Sequence, residues 1–125
     1  PGKRMLSSMT PTIVEKDGKL LLICGTPGGS TIITSVFQTV SNVIDFDMTA
    51  TEAVQSPRFH HQWLPDALIL EDVGFDTLLV NELNEMGHHA KLRGKLGKVE
   101  AIKILENGNI EGAADTRADD DVKGF

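Results

Sequence analysis

Two adjacent glycines stand between an apolar run and a helical pattern. Residues 20–24 (LLLIC) are typical of a strand, residues 26–30 (TPGGS) of a turn, and the apolar spacing from Ile32 onward of a helix. Gly28 and Gly29 would let the backbone approach a ligand closely, because no Cβ stands in the way. Ser30 is the expected N-cap, and the free N–H groups at a helix start favour an anion or a developing oxyanion. The same pattern also fits a tight strand-to-helix connection without a ligand.

The elements that must position this motif follow from local patterns. Residues 12–16 and 19–25 flank Asp17-Gly18, a strong signal for a two-residue hairpin. A helix is predicted over residues 31–44, because its apolar residues recur at steps of three and four and so share one face. These residues are Ile32, Ile33, Val36, Phe37, Val40, Val43 and Ile44.

The rest of the chain predicts further short elements. Helices are predicted over residues 51–55, capped by Thr49 or Thr51, and over residues 76–86, with Gly87 as the C′ residue. The predicted strands are residues 67–71, 89–92, 99–105 and 110–114, with an ordered loop over residues 59–66 and an irregular acidic segment over residues 115–125. Antiparallel hairpins at both ends with helices between them indicate a layered α+β fold.

Composition excludes several function classes. The chain has 125 residues and a formal net charge of −6, and its arginines are too scattered to form the basic face that nucleic-acid binding needs. No apolar run approaches the roughly 20 residues of a membrane span. The single cysteine, Cys24, excludes an internal disulfide and a multi-cysteine metal site, and it is interpreted as a small buried hydrophobic residue. The adjacent His60 and His61 lack the further ligands at set spacing that metal sites show.

Several motifs in one register resemble the C-terminal part of γ-glutamyltranspeptidases. The resemblance covers essentially the whole chain and is carried by residues 6–14 (LSSMTPTIV), 25–30 (GTPGGS), 42–45 (NVID), 52–54 (EAV), 56–66 (SPRFHHQWLPD) and 112–115 (GAAD). It implies the N-terminal-nucleophile hydrolase fold, an αββα sandwich of two antiparallel sheets between helical layers. The chain begins at Pro1 without a methionine, so residues 1–125 are expected to be a single-domain fragment, the C-terminal portion of the small subunit.

The resemblance also implies roles for particular residues. Gly28 and Gly29 match the glycines that form the oxyanion hole, and Ser7 and Ser8 match the serines that hold the α-carboxylate of the γ-glutamyl group. Hydroxyl groups suit that role because they can donate hydrogen bonds to a carboxylate, although a turn before a strand is the alternative interpretation of the pair. The nucleophile, an N-terminal threonine exposed by autocatalytic processing, is expected upstream of this chain, so the chain alone is expected to be inactive.

Departures from the family pattern occur beside these motifs. Thr26 replaces the usual serine and keeps the hydroxyl, whereas Thr31 stands where arginine often follows the Gly-Gly-Ser, which could alter acceptor preference. Asp115 and Arg117 lie in a turn whose sequence departs from the usual Ser-Asp-Pro-Arg, and they are interpreted as a structural ion pair. Phe59 to Asp66 match the family and suggest a packing role for the histidines there.

The expected activity is γ-glutamyl transfer or hydrolysis on glutathione and related amides, without a metal or an organic cofactor. Two alternatives stay open: a cephalosporin (β-lactam side-chain) acylase, which need not retain the serine pair, and a non-catalytic module of the same fold. The expected partners are the γ-glutamyl substrate, the remainder of the small subunit and the large subunit of the same precursor, with no nucleic acid and no membrane span in this chain. The resemblance implies a periplasmic or secreted location.

Overall fold

The structure is a computed structural model that describes residues 2–4 and 9–124, so Ser7 and Ser8 lie outside the described residues. The described chain forms strands and helices in mixed order. They are β1 (Thr12–Lys16), β2 (Lys19–Gly25), a 3-10 turn (Gly29–Thr31), α1 (Ile32–Ile44), α2 (Ala50–Gln55), β3 (Phe59–His60), β4 (Leu68–Glu71), α3 (Thr77–Glu85), β5 (Ala90–Arg93), β6 (Glu100–Ile104) and β7 (Ile110–Ala113).

The larger sheet has four antiparallel strands in the order β1-β2-β6-β7. Its first hairpin turns at Asp17 and Gly18, whose φ angles are 53° and 73°. Positive φ at both turn residues matches the right-handed twist of the flanking strands, which confirms the predicted hairpin. Because β2 is bonded on both sides, the loop that follows it starts from a rigid central strand.

The smaller sheet has three strands in the order β3-β4-β5. Strand β3 pairs antiparallel with β4, whereas β4 and β5 are parallel and are connected through α3. The predicted loop over residues 59–66 is therefore wrong at its start, since Phe59 and His60 pair with Leu70 and Ile69. Two residues carry too little periodicity to indicate a strand, and only the pairing to β4 defines this one.

Helices α1 and α2 cover one face of the larger sheet. The core between them contains small and branched apolar residues: Leu22, Cys24, Val36, Val43, Ala50, Ala53, Val54, Val99, Ala101 and Ala113. The predicted apolar face of α1 is only partly buried, because Ile33 and Phe37 are 73% and 65% exposed. No helix of the described chain has the length and apolar character needed to cross a membrane.

The helix ends agree with most of the predicted caps. Thr49 and Glu52 form a reciprocal capping box at the start of α2, so Thr49 rather than Thr51 is the cap. At the end of α3, Gly87 has a φ of 96° and the His88 N–H donates to the Leu83 carbonyl at 3.0 Å. That geometry confirms Gly87 as the C′ residue.

The predicted cap at Ser30 is wrong. Ser30 lies inside the 3-10 turn, and the N-cap position of α1 is Thr31, which makes no side-chain cap hydrogen bond. The turn takes over the capping role, because the Thr31 N–H donates to the Gly28 carbonyl at 3.3 Å.

Candidate functional site

The loop from Gly25 to Thr31 connects the central strand β2 to α1, and we call it the glycine loop. Gly28 and Gly29 have φ angles of 148° and 61°, a region of backbone space that other residues rarely adopt. A Cβ built on Gly28 would lie 2.7 Å from the Thr31 Oγ1, whereas one on Gly29 would meet nothing within 4 Å. Gly28 is therefore required by packing and conformation together, and the open side of the loop is at Gly29.

Thr26 anchors the start of the glycine loop. Its side chain is fully buried, and its Oγ1 donates to the Pro27 carbonyl at 2.7 Å while it accepts a hydrogen bond from the Lys98 N–H at 2.8 Å. The Thr26 N–H donates to the Met9 carbonyl at 3.0 Å. The hydroxyl retained at position 26 thus fixes the loop to the segment before β6.

Thr31 anchors the other end of the glycine loop. Its side chain is 9% exposed, and its Oγ1 donates to the Gly28 carbonyl at 3.0 Å. The side chain at this position is turned into the loop rather than toward solvent. The following turn of α1 continues the arrangement, since the Thr34 Oγ1 donates to the Thr31 carbonyl at 3.1 Å.

The segment 96–98 packs against the glycine loop from the side of β6. A Cβ on Gly97 would lie 2.8 Å from the Ser35 Oγ and 3.2 Å from the Thr26 Oγ1, and Gly97 itself has a φ of 68°. The Gly97 Cα also lies 3.5 Å from the position that a Cβ on Gly28 would occupy. Only glycine at position 97 allows these backbones to approach so closely.

Four charged side chains form a buried charge cluster behind this segment. Arg58, Glu71 and Asp115 are each at most 2% exposed, and Arg117 is 10% exposed. The Arg58 Nη1 lies 2.8 Å from the Asp115 Oδ2, and the Arg117 Nη1 lies 3.1 Å from the Asp115 Oδ1. Arg117 also donates to Glu71 through its Nε at 2.6 Å. The predicted ion pair of Asp115 and Arg117 is confirmed, and it is part of a larger network.

Both carboxylates of the cluster stay charged. Burial alone would raise the pKa of Asp115, but hydrogen bonds from the backbone N–H groups of Arg117 and Val99 and the charge of Arg58 hold it below its usual value. Burial likewise opposes ionisation of Glu71, and the hydrogen bond from Arg117, followed by those from backbone N–H groups, lowers its pKa. Two cations thus balance two anions inside the protein.

The cluster fixes Leu96 and so reaches the glycine loop. The Arg58 Nη1 donates to the Leu96 carbonyl at 2.9 Å, and the Leu96 N–H donates to the Glu71 Oε1 at 2.6 Å. Leu96 is thus held through both backbone groups of one residue, and its neighbour Gly97 lies against the glycine loop. The cluster is a positioning element for that loop rather than a basic surface.

The predicted site residues are only partly within the described chain. Gly28 and Gly29 lie together at the junction of β2 and α1, as the sequence predicts. Ser7 and Ser8 lie outside the described residues. Met9 is the first described residue after them, and its carbonyl accepts a hydrogen bond from the Thr26 N–H.

His60 and Cys24 have packing roles, whereas the His61 side chain is 40% exposed and its Nε2 lies 3.0 Å from the Asp66 Oδ1. His60 is 6% exposed, and its ring nitrogens lie 2.8 Å from the Thr34 Oγ1 and 2.9 Å from the Gln62 Oε1, in line with the predicted packing role. Cys24 is buried as predicted, and burial raises the pKa of its thiol to about 11. Within residues 2–4 and 9–124, no three His, Cys, Asp or Glu side chains are grouped so that they could hold a metal ion.

Sequence reasoning missed Arg58, Glu71 and Gly97 as supports of the site. One signal for Glu71 was present, because a carboxylate that continues an apolar strand needs a buried partner. Arg58 carried no local signal, since Asp115 is 57 residues away. The role of Gly97 depends on contacts with Ser35 and Thr26, which sequence spacing does not reveal.

Both the full sequence and the fold resemble those of known proteins. The family model described as gamma-glutamyltranspeptidase matches residues 1–125. The glutathione hydrolase proenzyme of Escherichia coli is 48% identical over 122 residues, which are 98% of this chain and 21% of that protein. The structure of a variant of the Helicobacter pylori gamma-glutamyltranspeptidase has a TM-score of 0.86 and 47% identity, covering 94% of this chain and 64% of that one. The chain thus spans about a fifth of the length of the curated relatives it matches.

A more distant neighbour bears on the acylase alternative. Cephalosporin acylase from Bacillus halodurans has a TM-score of 0.74 but only 21% identity, covering 83% of this chain and 20% of that one. That likeness concerns the fold alone and carries no acylase activity to this chain. Together these neighbours confirm the predicted α+β fold of the N-terminal-nucleophile hydrolases. Because the family model matches every residue from 1 to 125, the chain belongs to the γ-glutamyltranspeptidase family.

Proposed function

We propose that the full-length protein transfers the γ-glutamyl group of glutathione and related γ-glutamyl amides to water or to an amine. In this proposal residues 1–125 are the C-terminal portion of its small subunit. The observation that carries the proposal is the Gly28–Gly29 pair, held in a loop with fixed ends at the start of α1. Family membership supports the substrate class.

Gly28 and Gly29 supply the oxyanion hole in this proposal. Attack on an amide carbonyl places negative charge on the former carbonyl oxygen, and backbone N–H groups that are fixed beforehand stabilise that charge by roughly 3 kcal/mol per donor. The glycine loop suits this role because Thr26 and Thr31 hold its ends while the position of a Cβ on Gly29 is open.

Ser7 and Ser8 bind the α-carboxylate of the γ-glutamyl group through their hydroxyls. The hydrogen bond between the Thr26 N–H and the Met9 carbonyl supports this assignment, because Met9 directly follows the serine pair in the chain. Hydrogen bonds to a charged group contribute about 1.5–3 kcal/mol each, so loss of both hydroxyls is expected to weaken substrate binding measurably.

The nucleophile in this proposal is a threonine upstream of this chain, made N-terminal by autoprocessing. Its hydroxyl oxygen attacks the γ-carbonyl while its own amine accepts the proton, and the amine of the substrate then leaves with a proton. Water or an acceptor amine resolves the resulting ester. The chain by itself is inactive because it lacks that threonine, and no metal or organic cofactor takes part.

Exposed apolar surface supports contact with the remainder of the same precursor, which includes the rest of the small subunit and the large subunit. Phe37 and Phe46 are 65% and 68% exposed and line an apolar groove beside α1. Ile13, Ile23 and Ile102 form a cross-strand row on the larger sheet and are all exposed. Because the chain spans about a fifth of the length of its relatives, such apolar patches indicate interfaces with the remainder of the precursor.

A periplasmic or secreted location is part of the proposal, as family membership suggests.

Release of 4-nitroaniline from L-γ-glutamyl-4-nitroanilide by the full-length protein tests the proposal. A Ser7→Ala/Ser8→Ala double variant is expected to raise KM at least tenfold, because the lost hydrogen bonds act on the bound substrate. A Thr51→Ala variant, which removes an exposed hydroxyl on α2 outside the groove, is the control and is expected to match the unaltered protein. No turnover by the processed, folded protein would refute the activity and favour the non-catalytic module. An unchanged KM in the double variant would refute only the serine roles.

A further inference from the structure

Thr31 makes two hydrogen bonds to one backbone group of the glycine loop. Its Oγ1 donates to the Gly28 carbonyl at 3.0 Å, and its N–H donates to the same oxygen at 3.3 Å. The side chain is 9% exposed, so water competes little for this contact. The direction of the Gly28 carbonyl is therefore fixed by two hydrogen-bond donors that belong to the same residue.

A fixed carbonyl also fixes the amide that follows it. The peptide unit is planar and trans, so its C=O and N–H point in opposite directions. The Gly28 carbonyl and the Gly29 N–H belong to one such unit, and hence the Gly29 N–H points away from Thr31. Neither glycine can lock this plane by itself, because glycine reaches positive φ freely and has no side chain to pack.

We propose that Thr31 is a positioning residue for the oxyanion site: its hydroxyl holds the Gly28–Gly29 peptide so that the Gly29 N–H is directed at the developing negative charge. This inference rests on the proposed function of the two glycines. The Thr31 hydroxyl gives this chain a short, buried contact to the glycine loop.

If Thr31 had only a structural role at the start of α1, its replacement would lower kcat no more than replacement of another buried threonine of that helix. Thr39 offers the matched comparison, since it lies in the same helix, is 1% exposed, and donates through its Oγ1 to the Ser35 carbonyl at 3.0 Å. Replacing either threonine with valine removes one buried hydroxyl of the same kind. Only the hydroxyl of Thr31 contacts a glycine of the loop.

The test compares Thr31→Val, Thr31→Ser and Thr39→Val in the full-length processed protein with L-γ-glutamyl-4-nitroanilide. Thr31→Val is expected to lower kcat about tenfold, less than the roughly 100-fold or more caused by losing an oxyanion donor outright. KM is expected to stay within about twofold, because the oxyanion forms only in the transition state. Thr31→Ser is expected to restore kcat, and Thr39→Val to leave it unchanged.

A second readout separates positioning from folding. The probe is a glutamate analogue with a boronic acid in place of the γ-carboxyl group, whose boron becomes tetrahedral when the nucleophile's oxygen binds to it. Its affinity is expected to fall in parallel with kcat/KM in Thr31→Val but not to change in Thr39→Val. Equal loss of kcat in the two valine variants, or an effect on KM alone, would overturn the inference. Should Thr31→Val not fold, Thr31→Ala is compared with Thr39→Ala on the same terms. If the unaltered protein is inactive, both this inference and the proposed function are refuted. If the unaltered protein is active but Thr31→Val behaves like Thr39→Val, only this inference is refuted.

Discussion

Asp115 gives the sharpest test of the buried charge cluster. Its Oδ2 accepts hydrogen bonds from the Arg58 Nη1 at 2.8 Å and from the Val99 N–H at 2.9 Å. Its Oδ1 accepts from the Arg117 N–H at 3.0 Å and from the Arg117 Nη1 at 3.1 Å. Asp115→Asn keeps the shape of the side chain and replaces one of these two acceptors with a donor.

The expected cost follows from this geometry. In either orientation of the amide, one guanidinium N–H and one backbone N–H would face an NH₂ group and lose their acceptor. Hydrogen bonds to a charged group contribute about 1.5–3 kcal/mol each, so losing two of them is expected to lower the local stability by about 3 kcal/mol even at the lower value. This matches the roughly 3–5 kcal/mol known for breaking a buried ion pair.

Hydrogen exchange followed by mass spectrometry in the full-length protein measures this loss locally. A loss of about 3 kcal/mol corresponds to roughly 100-fold faster exchange of the amides of Leu96 and Val99, at about 1.4 kcal/mol per tenfold. Helix α3 does not contribute to the cluster and is the internal reference. Asp121→Asn, which alters an exposed carboxylate 3.3 Å from Lys123, is the control. Exchange of residues 94–101 within twofold of the unaltered protein would refute the reasoning.

The same cluster predicts a pH dependence. The pKa values of Asp115 and Glu71 are lowered in the folded state. Their contribution to stability is therefore fully present above their unfolded pKa values of about 4, and it is lost as the pH falls through the lowered values. Protection of Leu96 is expected to decrease on acidification below pH ~4, and to decrease less in Asp115→Asn. Equal acid sensitivity of the two proteins would contradict this.

Three further predictions concern other positions. Gly97→Ala places a methyl group 2.8 Å from the Ser35 Oγ at a φ of 68°, so it is expected to lower kcat and the thermal midpoint; a normal kcat would refute the role of the close approach. Thr49→Ala removes the capping box of α2 and is expected to cost about 1 kcal/mol in the free energy of unfolding, whereas no change in the denaturation midpoint would argue against it. Burial, followed by the neighbouring Asp120 carboxylate, raises the pKa of Glu100 in the folded protein. Ionisation of Glu100 therefore opposes folding, and the free energy of unfolding decreases as the pH rises through the raised pKa. Glu100→Gln is expected to raise the thermal midpoint at pH 7 but not below pH ~4, and a lower midpoint at pH 7 would contradict this.

Local signals were enough to predict most elements. The Asp17-Gly18 turn, the apolar spacing of α1 and the cap at Gly87 each depend on neighbours in the sequence, and all three agree with the structure. Ser30 failed as a cap because the chain enters α1 through a 3-10 turn, in which the Thr31 N–H satisfies the Gly28 carbonyl. Propensity at one residue cannot reveal that geometry.

Long-range contacts account for what sequence reasoning did not predict. Strand β3 exists only through its pairing with β4, and the parallel pairing of β4 with β5 was not indicated by any local pattern. The apolar spacing of α1 predicted its helical period but not which residues are buried, since Ile33 and Phe37 remain exposed. The position of the two glycines was predictable, whereas the threonine hydroxyls and the charge cluster that hold them depend on residues far apart in the chain.

The buried charge cluster also has a consequence for heat and salt. The core of the chain is built largely from alanine and valine, so apolar burial per residue is modest. The cost of removing charges from water decreases as temperature rises, and salt screens buried pairs far less than exposed ones. Leu96 and Gly97, which connect the cluster to the glycine loop, should therefore keep their geometry over a wider range of temperature and ionic strength than a loop held by exposed contacts.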